Sequence, residues 1–187
     1  MKTIFVSDIF GRTDALERLV INISEEALIL DPYGSAFMEF KSEHAAYTYF
    51  SENVGHISYA KKLKHVLQEQ QDEVFLIGFS IGASAIWNIS GDQSVSVVKS
   101  TICYYGSQIR NNLSCSPAFP IGLVFPSMES HFSVDEVIHK LSDKQNVSIR
   151  KVPYLHGFMN ELSINYHPHG YNEEVQELCK SVIQQIA

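Results

Sequence analysis

The sequence predicts an α/β protein with a mostly parallel sheet of about six strands and helices on both faces. Short apolar, β-branched runs alternate with amphipathic stretches along nearly the whole chain of 187 residues. Strands that alternate with helices usually pair in parallel, because each helix carries the chain back over the sheet. The pattern contains no repeat or linker, so we expect residues 1–187 to form a single domain.

The first half of the chain supplies three predicted strands, over residues 3–6, 27–30 and 74–77. A helix over about 13–22, which Thr13 could cap, separates the first two. A helix over 57–70 precedes the third, and its apolar face is predicted to comprise Ile57, Ala60, Leu63, Val66 and Leu67.

The segment 35–55 is the least regular part of the chain and is rich in aromatic residues. One interpretation is a loop-and-helix excursion whose rings fill a small core of their own. The other is a flap over the active site, because long connections in compact domains often line sites. The two interpretations are compatible.

The second half supplies a short apolar helix over 81–89 and three more strands, over 97–104, 120–125 and 147–152. Ser133-Val-Asp-Glu136 is a capping box that opens a further helix. A helix over 172–186 ends the chain, and its inward residues are predicted to be Val175, Leu178, Cys179, Val182, Ile183 and Ile186.

The composition excludes several classes of partner. A formal net charge of −7 argues against nucleic acid, because few cations are available to neutralise phosphates. No apolar run reaches membrane-spanning length, and the N-terminus lacks the apolar region of a signal peptide. Cys103, Cys115 and Cys179 form neither a disulfide framework nor a metal motif, so we expect a cytoplasmic protein without metal or other cofactor. The oligomeric state stays open.

The motif with the strongest chemical implication is Gly78-Phe79-Ser80-Ile81-Gly82. It fits Gly-X-Ser-X-Gly between a buried strand and a helix, which is the context of a nucleophile elbow. Glycine at both flanks permits a turn so sharp that side chains there would collide with backbone. Such a turn places Ser80 Oγ beyond the sheet, beside a helix N-terminus that can stabilise an oxyanion. A glycine-rich turn with a chance serine is the structural alternative.

A nucleophilic serine needs a base and a group that orients the base, expected in the order serine, acid, histidine. His156 is the best placed of the eight histidines, because it lies just past the last predicted strand. Glu129 follows the penultimate strand, where the acid is expected. Asp135 is the competing acid, although the capping box explains it as a first-turn residue stabilised by the helix dipole.

The backbone N–H groups of Ile9 and Ile81 are the predicted oxyanion donors. Asp8 would then lie close to Ser80, or simply accept hydrogen bonds from loop amides. In parallel sheets ligands bind beyond the carboxyl ends of the strands, and Asp8, Ser80, Glu129 and His156 all fall there.

Over nearly its whole length the sequence resembles the dienelactone hydrolases, within the α/β-hydrolase fold. Besides the elbow, the resemblance rests on Asp8-Ile-Phe-Gly11, Asp31-Pro-Tyr33, Tyr47, the turn 129–132 and His156-Gly-Phe158. It implies that Ser80, His156 and Glu129 are catalytic, that Asp8 hydrogen-bonds the nucleophile and that Ile9 is an oxyanion donor. The side chains expected to line the substrate site are Phe10, Tyr33, Tyr47, Phe79 and Phe158.

The sequence also departs from the family pattern. Serine replaces the usual cysteine nucleophile, and Glu129 replaces the usual aspartate. The two arginines that bind a substrate carboxylate in the family are replaced by Asn160 and Glu43. We therefore predict that neutral esters are preferred to carboxylate-bearing lactones. Lys41 is the one nearby cation that could reverse this preference.

The leading interpretation is a serine hydrolase that cleaves carboxylic esters or thioesters of small substrates. Ser80 would attack the carbonyl, His156 would shuttle the proton and Glu129 would orient His156. The alternative is a catalytically silent α/β-hydrolase-like binding protein, suggested by the glutamate in place of aspartate and by the missing arginines.

Overall fold

The protein is described here by a computed structural model over residues 1–186. Its strands are Lys2–Val6 (β1), Leu28–Leu30 (β2), Val74–Phe79 (β3), Val98–Tyr104 (β4), Ile121–Phe125 (β5) and Val147–Lys151 (β6). They form one sheet in the order β2-β1-β3-β4-β5-β6, and every neighbouring pair is parallel. The α/β class and the sheet of six strands are confirmed.

The helices are Asp14–Ile23 (α1), Glu43–Asn53 (α2), Gly55–Gln68 (α3), Ile81–Ile89 (α4), Val134–Leu141 (α5) and Pro168–Ile186 (α6). The two predicted N-caps are confirmed. Thr13 Oγ1 accepts the N–H of Leu16 at 3.1 Å, and Ser133 Oγ accepts the N–H of Glu136 at 3.3 Å. Among residues 1–186, no helix combines the length and apolar character needed to cross a membrane.

Two apolar clusters pack against opposite faces of the sheet, as predicted for a doubly covered sheet. Residues of α3, α4 and α5 contribute to one cluster, in which Trp87 and Leu63 are fully buried. Residues of α1 and α6 contribute to the other, which includes Leu19 and Leu178. Every residue of β3 is buried, so the strand that leads into the elbow is held from both sides.

An ion pair between the buried carboxylate of Glu174 and the half-exposed Arg150 attaches α6 to the sheet, and amphipathic patterning did not reveal it. Glu174 is 2% exposed and accepts hydrogen bonds from both terminal nitrogens of Arg150 at 2.5 Å. The hydroxyl of Tyr104 also donates to this carboxylate, at 3.1 Å. A buried carboxylate needs such partners, because desolvation otherwise disfavours its charged form.

Two apolar residues predicted to face inward are exposed. Ile57 is 73% exposed, because the buried stripe of α3 runs through Tyr59 and Leu63, roughly 120–160° away around the helix. Ile183 is 68% exposed, because α6 buries residues four apart, including Leu178 and Val182. The side chain of Ile186 lies outside the described residues.

Helix α6 begins at Pro168, four residues before the predicted start at Asn172. The ring Nδ1 of His167 accepts the N–H of Gly170 at 3.2 Å, which satisfies a first-turn donor. Proline is also favoured in the first turn, where its missing N–H is not needed. A histidine directly before a proline is thus the sequence signal for this earlier start.

Candidate active site

Ser80 occupies a strained turn between β3 and α4. Its φ is 50° and its ψ is −108°, a conformation that residues with side chains rarely adopt. Its N–H donates to the carbonyl of Tyr104 at 2.9 Å, and its carbonyl accepts the N–H and the hydroxyl of Ser84, each at 3.0 Å. Bonds to β4 and to α4 therefore hold the turn in place.

Both glycines of the motif are required by close packing of the elbow. A Cβ on Gly82 would lie 2.6 Å from the carbonyl oxygen of Ser7, and one on Gly78 would lie 2.8 Å from the nitrogen of Ala83. Either contact is too short for a real side chain. The absence of a Cβ thus lets the start of α4 approach the end of β1.

Ser80, His156 and Glu129 form a continuous hydrogen-bonded series at the carboxyl ends of β3, β6 and β5. Ser80 Oγ lies 2.9 Å from His156 Nε2, and His156 Nδ1 lies 2.7 Å from Glu129 Oε1. With the ring proton on Nδ1 and donated to Glu129, Nε2 is free to accept the serine proton. Asp135 instead lies on the surface of α5, 2.6 Å from Lys151 Nζ. The structure thus brings Glu129, and not Asp135, to His156.

Two further residues support His156, and no motif in the sequence indicates this role for either. The ring of Tyr105 is centred 5.0 Å from the imidazole, and its backbone has a φ of 40°. Burial raises the pKa of the Tyr105 hydroxyl well above its ordinary value, so the ring stays neutral. The side-chain amide of Asn165 donates to the His156 carbonyl at 2.9 Å.

Asp8 lines the same cleft as Ser80, but its hydrogen bonds go elsewhere. Oδ1 accepts the N–H of Phe10 at 2.9 Å, and Oδ2 accepts the side-chain amide of Asn160 at 2.6 Å. Desolvation raises the pKa of Asp8 above its ordinary value, although both donors act in the opposite direction. Ser80 Oγ pairs with His156, so the Asp8–nucleophile bond implied by the resemblance does not form here.

Ile9 and Ile81 also line this cleft, as expected for oxyanion donors. Across residues 1–186, neither N–H donates to another protein group. The carbonyl of Ile9 is fixed from its other side, because the hydroxyl of Tyr33 donates to it at 2.6 Å. The two N–H groups are therefore available to a substrate oxygen.

The cleft has a volume of about 640 Å³, and apolar side chains make up part of its wall. Phe10 and Tyr47 line it as predicted. The other three predicted lining residues do not. Phe79 is buried between the rings of Phe5 and Tyr104, Phe158 packs under Tyr105, and Tyr33 is occupied with the loop of Ile9.

Segment 35–55 contributes both to the cleft and to an aromatic cluster beside it. Its helix α2 presents Glu43, His44 and Tyr47 to the cleft, so the segment forms one wall of the site. Phe40 and Tyr49 lie within 5.6 Å of the Tyr33 ring, centre to centre, and form a separate aromatic cluster.

Arg110 is a cation that lines the cleft, so the expectation that Lys41 would be the one nearby cation is wrong. Arg110 lines the cleft, donates to the Ser107 carbonyl at 2.6 Å and lies 4.8 Å from the centre of the Phe132 ring. The other arginines each pair with a glutamate. In the part of the chain that the structure describes, Arg110 has no carboxylate partner.

The residues at the family's two arginine positions have structural partners in this chain. Asn160 is bonded to Asp8. Glu43 accepts the hydroxyl of Ser163 at 2.6 Å and the N–H of Ile164 at 3.2 Å. Neither position offers a cation to a substrate.

Comparison with solved structures gives the fold. A Klebsiella pneumoniae protein provisionally described as a dienelactone hydrolase superposes with a TM-score of 0.73 at 14% identity, covering 95% of this chain and 84% of the other. A dienelactone hydrolase-like promiscuous phosphotriesterase, P91, from metagenomic libraries gives 0.68 at 10% identity, with 98% and 85% covered. Est1E from Butyrivibrio proteoclasticus, with bound ferulic acid, gives 0.65 at 9% identity, with 99% and 89% covered.

Comparison of sequences gives the family. The YczH protein of Bacillus subtilis (strain 168), described as uncharacterized, is 36% identical over 129 residues. The match covers 67% of this chain and 62% of YczH, so the chain spans less than two thirds of that relative. The sequence model of the dienelactone hydrolase family matches residues 5–186. The segments that carry the resemblance all fall within that match, and the chain belongs to the dienelactone hydrolase family.

Proposed function

We propose that this protein is a serine hydrolase that cleaves carboxylic esters or thioesters of small substrates through an acyl-enzyme. Membership of the dienelactone hydrolase family and the α/β-hydrolase fold support hydrolase activity. The observation on which the finer proposal rests is the series of hydrogen bonds from Ser80 Oγ through His156 to Glu129.

In the acylation step, Ser80 Oγ attacks the carbonyl carbon while its proton passes to His156 Nε2. The carbonyl oxygen gains a negative charge, which the N–H groups of Ile9 and Ile81 are available to stabilise. Glu129 stabilises the imidazolium through its bond to Nδ1. The tetrahedral intermediate then expels the alcohol or thiol, which takes the proton from Nε2.

In the deacylation step, water replaces the alcohol and the same groups act again. His156 Nε2 removes a proton from the water, which attacks the acyl carbon. Collapse of the second intermediate returns the proton to Ser80 Oγ and releases the carboxylic acid. An oxyanion donor of this kind typically contributes a factor of about 10²–10³ to kcat.

The strain at Ser80 favours catalysis over the alternative of a silent binding protein. A non-glycine residue at positive φ persists only when its surroundings impose it, and such residues concentrate at functional sites. A protein that only bound its ligand would require neither this conformation nor a largely buried carboxylate behind His156.

Labelling with a fluorophosphonate probe tests the proposal, since the probe reacts with activated serines. We expect stoichiometric labelling of the wild type at Ser80, seen by peptide mass spectrometry, together with hydrolysis of p-nitrophenyl acetate. Both should be lost in Ser80→Ala and His156→Ala, whose effects should be similar because the residues act as a unit. Ser90→Ala, at the far end of α4, is the matched control. Unlabelled, inactive wild type would indicate a binding protein instead.

The proposal also includes location and partners. The three thiols Cys103, Cys115 and Cys179 are unpaired, which suits a reducing cytoplasm. We propose that the protein binds a small-molecule ester and that it binds neither nucleic acid nor membranes.

A further inference from the structure

Among the described residues, one side-chain hydrogen bond, here called the bridge, joins two loops that build the site. Residues 8–11, here called the oxyanion loop, follow β1, and residues 156–167, here called the histidine loop, follow β6. Three strands separate β1 from β6 in the sheet. Asn160 Nδ2 nevertheless donates to Asp8 Oδ2 at 2.6 Å, across 152 residues of sequence.

Each partner of the bridge also fixes the turn of its own loop. Asp8 Oδ1 accepts the N–H of Phe10 at 2.9 Å, and Asn160 Oδ1 accepts the N–H of Leu162 at 2.8 Å. The second bond sets the orientation of the Asn160 amide, since flipping it would oppose two donors. The bridge is thus directional, with an acceptor on the oxyanion loop and a donor on the histidine loop.

The residue enclosed by the Asp8–Phe10 bond is Ile9, the predicted oxyanion donor. Asp8 and Phe10 flank it, and the hydroxyl of Tyr33 holds its carbonyl at 2.6 Å. A shift of either loop would therefore move the Ile9 N–H relative to Ser80 and His156. Preorganised donors act only when placed to within about 0.5 Å.

We propose that the Asp8–Asn160 bridge has a positioning role. It holds the Ile9 N–H of the oxyanion loop in a fixed position relative to Ser80 and to His156 of the histidine loop. Neither residue contacts the reacting atoms; both act through the loops. This inference rests on the proposed function. It gives Asp8 a different task from the bond to the nucleophile implied by the family resemblance, because both oxygens of its carboxylate are already occupied.

An exchange of the two side chains tests the bridge. Asn160→Asp places two carboxylates face to face, and Asp8→Asn places two amides face to face. The double variant Asp8→Asn/Asn160→Asp restores one donor and one acceptor, and both turn bonds can form as before. We expect each single variant to lose about tenfold or more in kcat, with KM changed by less than about threefold, because the oxyanion forms only in the transition state. The double variant should recover to within about threefold of the wild type.

Glu161→Gln is the matched control. It alters the next residue of the histidine loop and removes an exposed ion pair with Arg18, a change of small expected effect. Urea denaturation of all variants separates positioning from stability. If a single variant does not fold, Asn160→Ala, which removes the donor without adding charge, replaces it in the comparison.

The outcomes are distinguishable. Folded single variants with wild-type kcat would refute the positioning role of the bridge and leave the proposed function intact. A double variant that stays as slow as the single variants would do the same. A wild type that neither hydrolyses esters nor reacts with the fluorophosphonate would overturn the proposed function, and with it any positioning role for the bridge. Recovery of kcat in the double variant would support both the positioning role and the proposed function.

Discussion

Replacement of Glu129 by glutamine tests how much of the activity depends on the carboxylate behind His156. The substitution keeps the shape of the side chain and removes its charge. Glu129 is 11% exposed and lies 2.7 Å from His156 Nδ1, so solvent screens the interaction little. A hydrogen bond to a charged group contributes about 1.5–3 kcal/mol, which corresponds to a loss of roughly 10- to 150-fold in kcat.

The tautomer of the histidine sets the upper limit of this effect. The new amide can donate to Nδ1, which would place the ring proton on Nε2, where it blocks acceptance of the proton from Ser80. A change of this kind in a serine–histidine–aspartate site lowers kcat by about 10⁴. We therefore expect Glu129→Gln to reduce kcat by about 10- to 10⁴-fold, with little change in KM.

The assay is steady-state hydrolysis of p-nitrophenyl acetate, with the melting temperature measured in parallel. Asp135→Asn is the control, since it removes an acid from the first turn of α5 and should lower stability by roughly 1 kcal/mol or less. A Glu129→Gln variant within threefold of wild-type kcat would refute the reasoning. Loss of activity in Asp135→Asn at an unchanged melting temperature would reverse the assignment.

Three other predictions follow from the structure. Gly82→Ala should abolish activity, measured with p-nitrophenyl acetate, because the added methyl group would meet the backbone carbonyls at the end of β1. Arg150→Met should lower the free energy of unfolding by about 1–3 kcal/mol in urea, because it leaves buried Glu174 without its cation. Arg110→Met should lower kcat/KM for an anionic ester, relative to its neutral counterpart, by roughly tenfold or more, whereas Lys41→Met should leave this ratio unchanged.

Each of these predictions has a contrary result. Wild-type activity in Gly82→Ala would show that α4 can move away from β1 without harm to the elbow. Unchanged stability in Arg150→Met would mean that water or Tyr104 alone satisfies Glu174. If Arg110→Met left kcat/KM for the anionic ester unchanged relative to the neutral ester, Arg110 would be excluded as the cation that contacts the substrate. A change of this ratio in Lys41→Met would have the same meaning.

The sequence predicted features that depend on neighbouring residues. The elbow is one example, because the two glycines, the serine and the flanking strand and helix all lie within sixteen residues, 74–89. The N-caps at Thr13 and Ser133 are of the same kind. His156 and Glu129 are more distant, but each follows a predicted strand, and a parallel sheet brings all such ends to one edge.

Features that depend on contacts across the fold were not predictable in this way. Glu174 resembles any polar residue of an amphipathic helix, and only its position over Arg150 and Tyr104 explains its burial. The pairing of Asp8 with Asn160 is of the same kind, because 152 residues of sequence separate the two side chains. Phe79 and Phe158 were expected to line the substrate site, yet both point into the core, as alternate positions of an extended or turning chain often do.

Arg110 shows why the charge of the preferred substrate was difficult to predict from the sequence. The prediction of a neutral substrate followed from two empty arginine positions, and the structure explains both: Asn160 bridges to Asp8, and Glu43 binds the turn at Ser163. The cation instead comes from the 3₁₀ segment Ser107–Asn111, in a polar stretch without predicted structure. Its charge faces the cleft without a carboxylate partner among residues 1–186, so the predicted advantage of neutral esters should be small in the wild type. It should widen when Arg110 is removed, because the acidic side chains Asp8, Glu43 and Glu129 would then line the cleft without that cation.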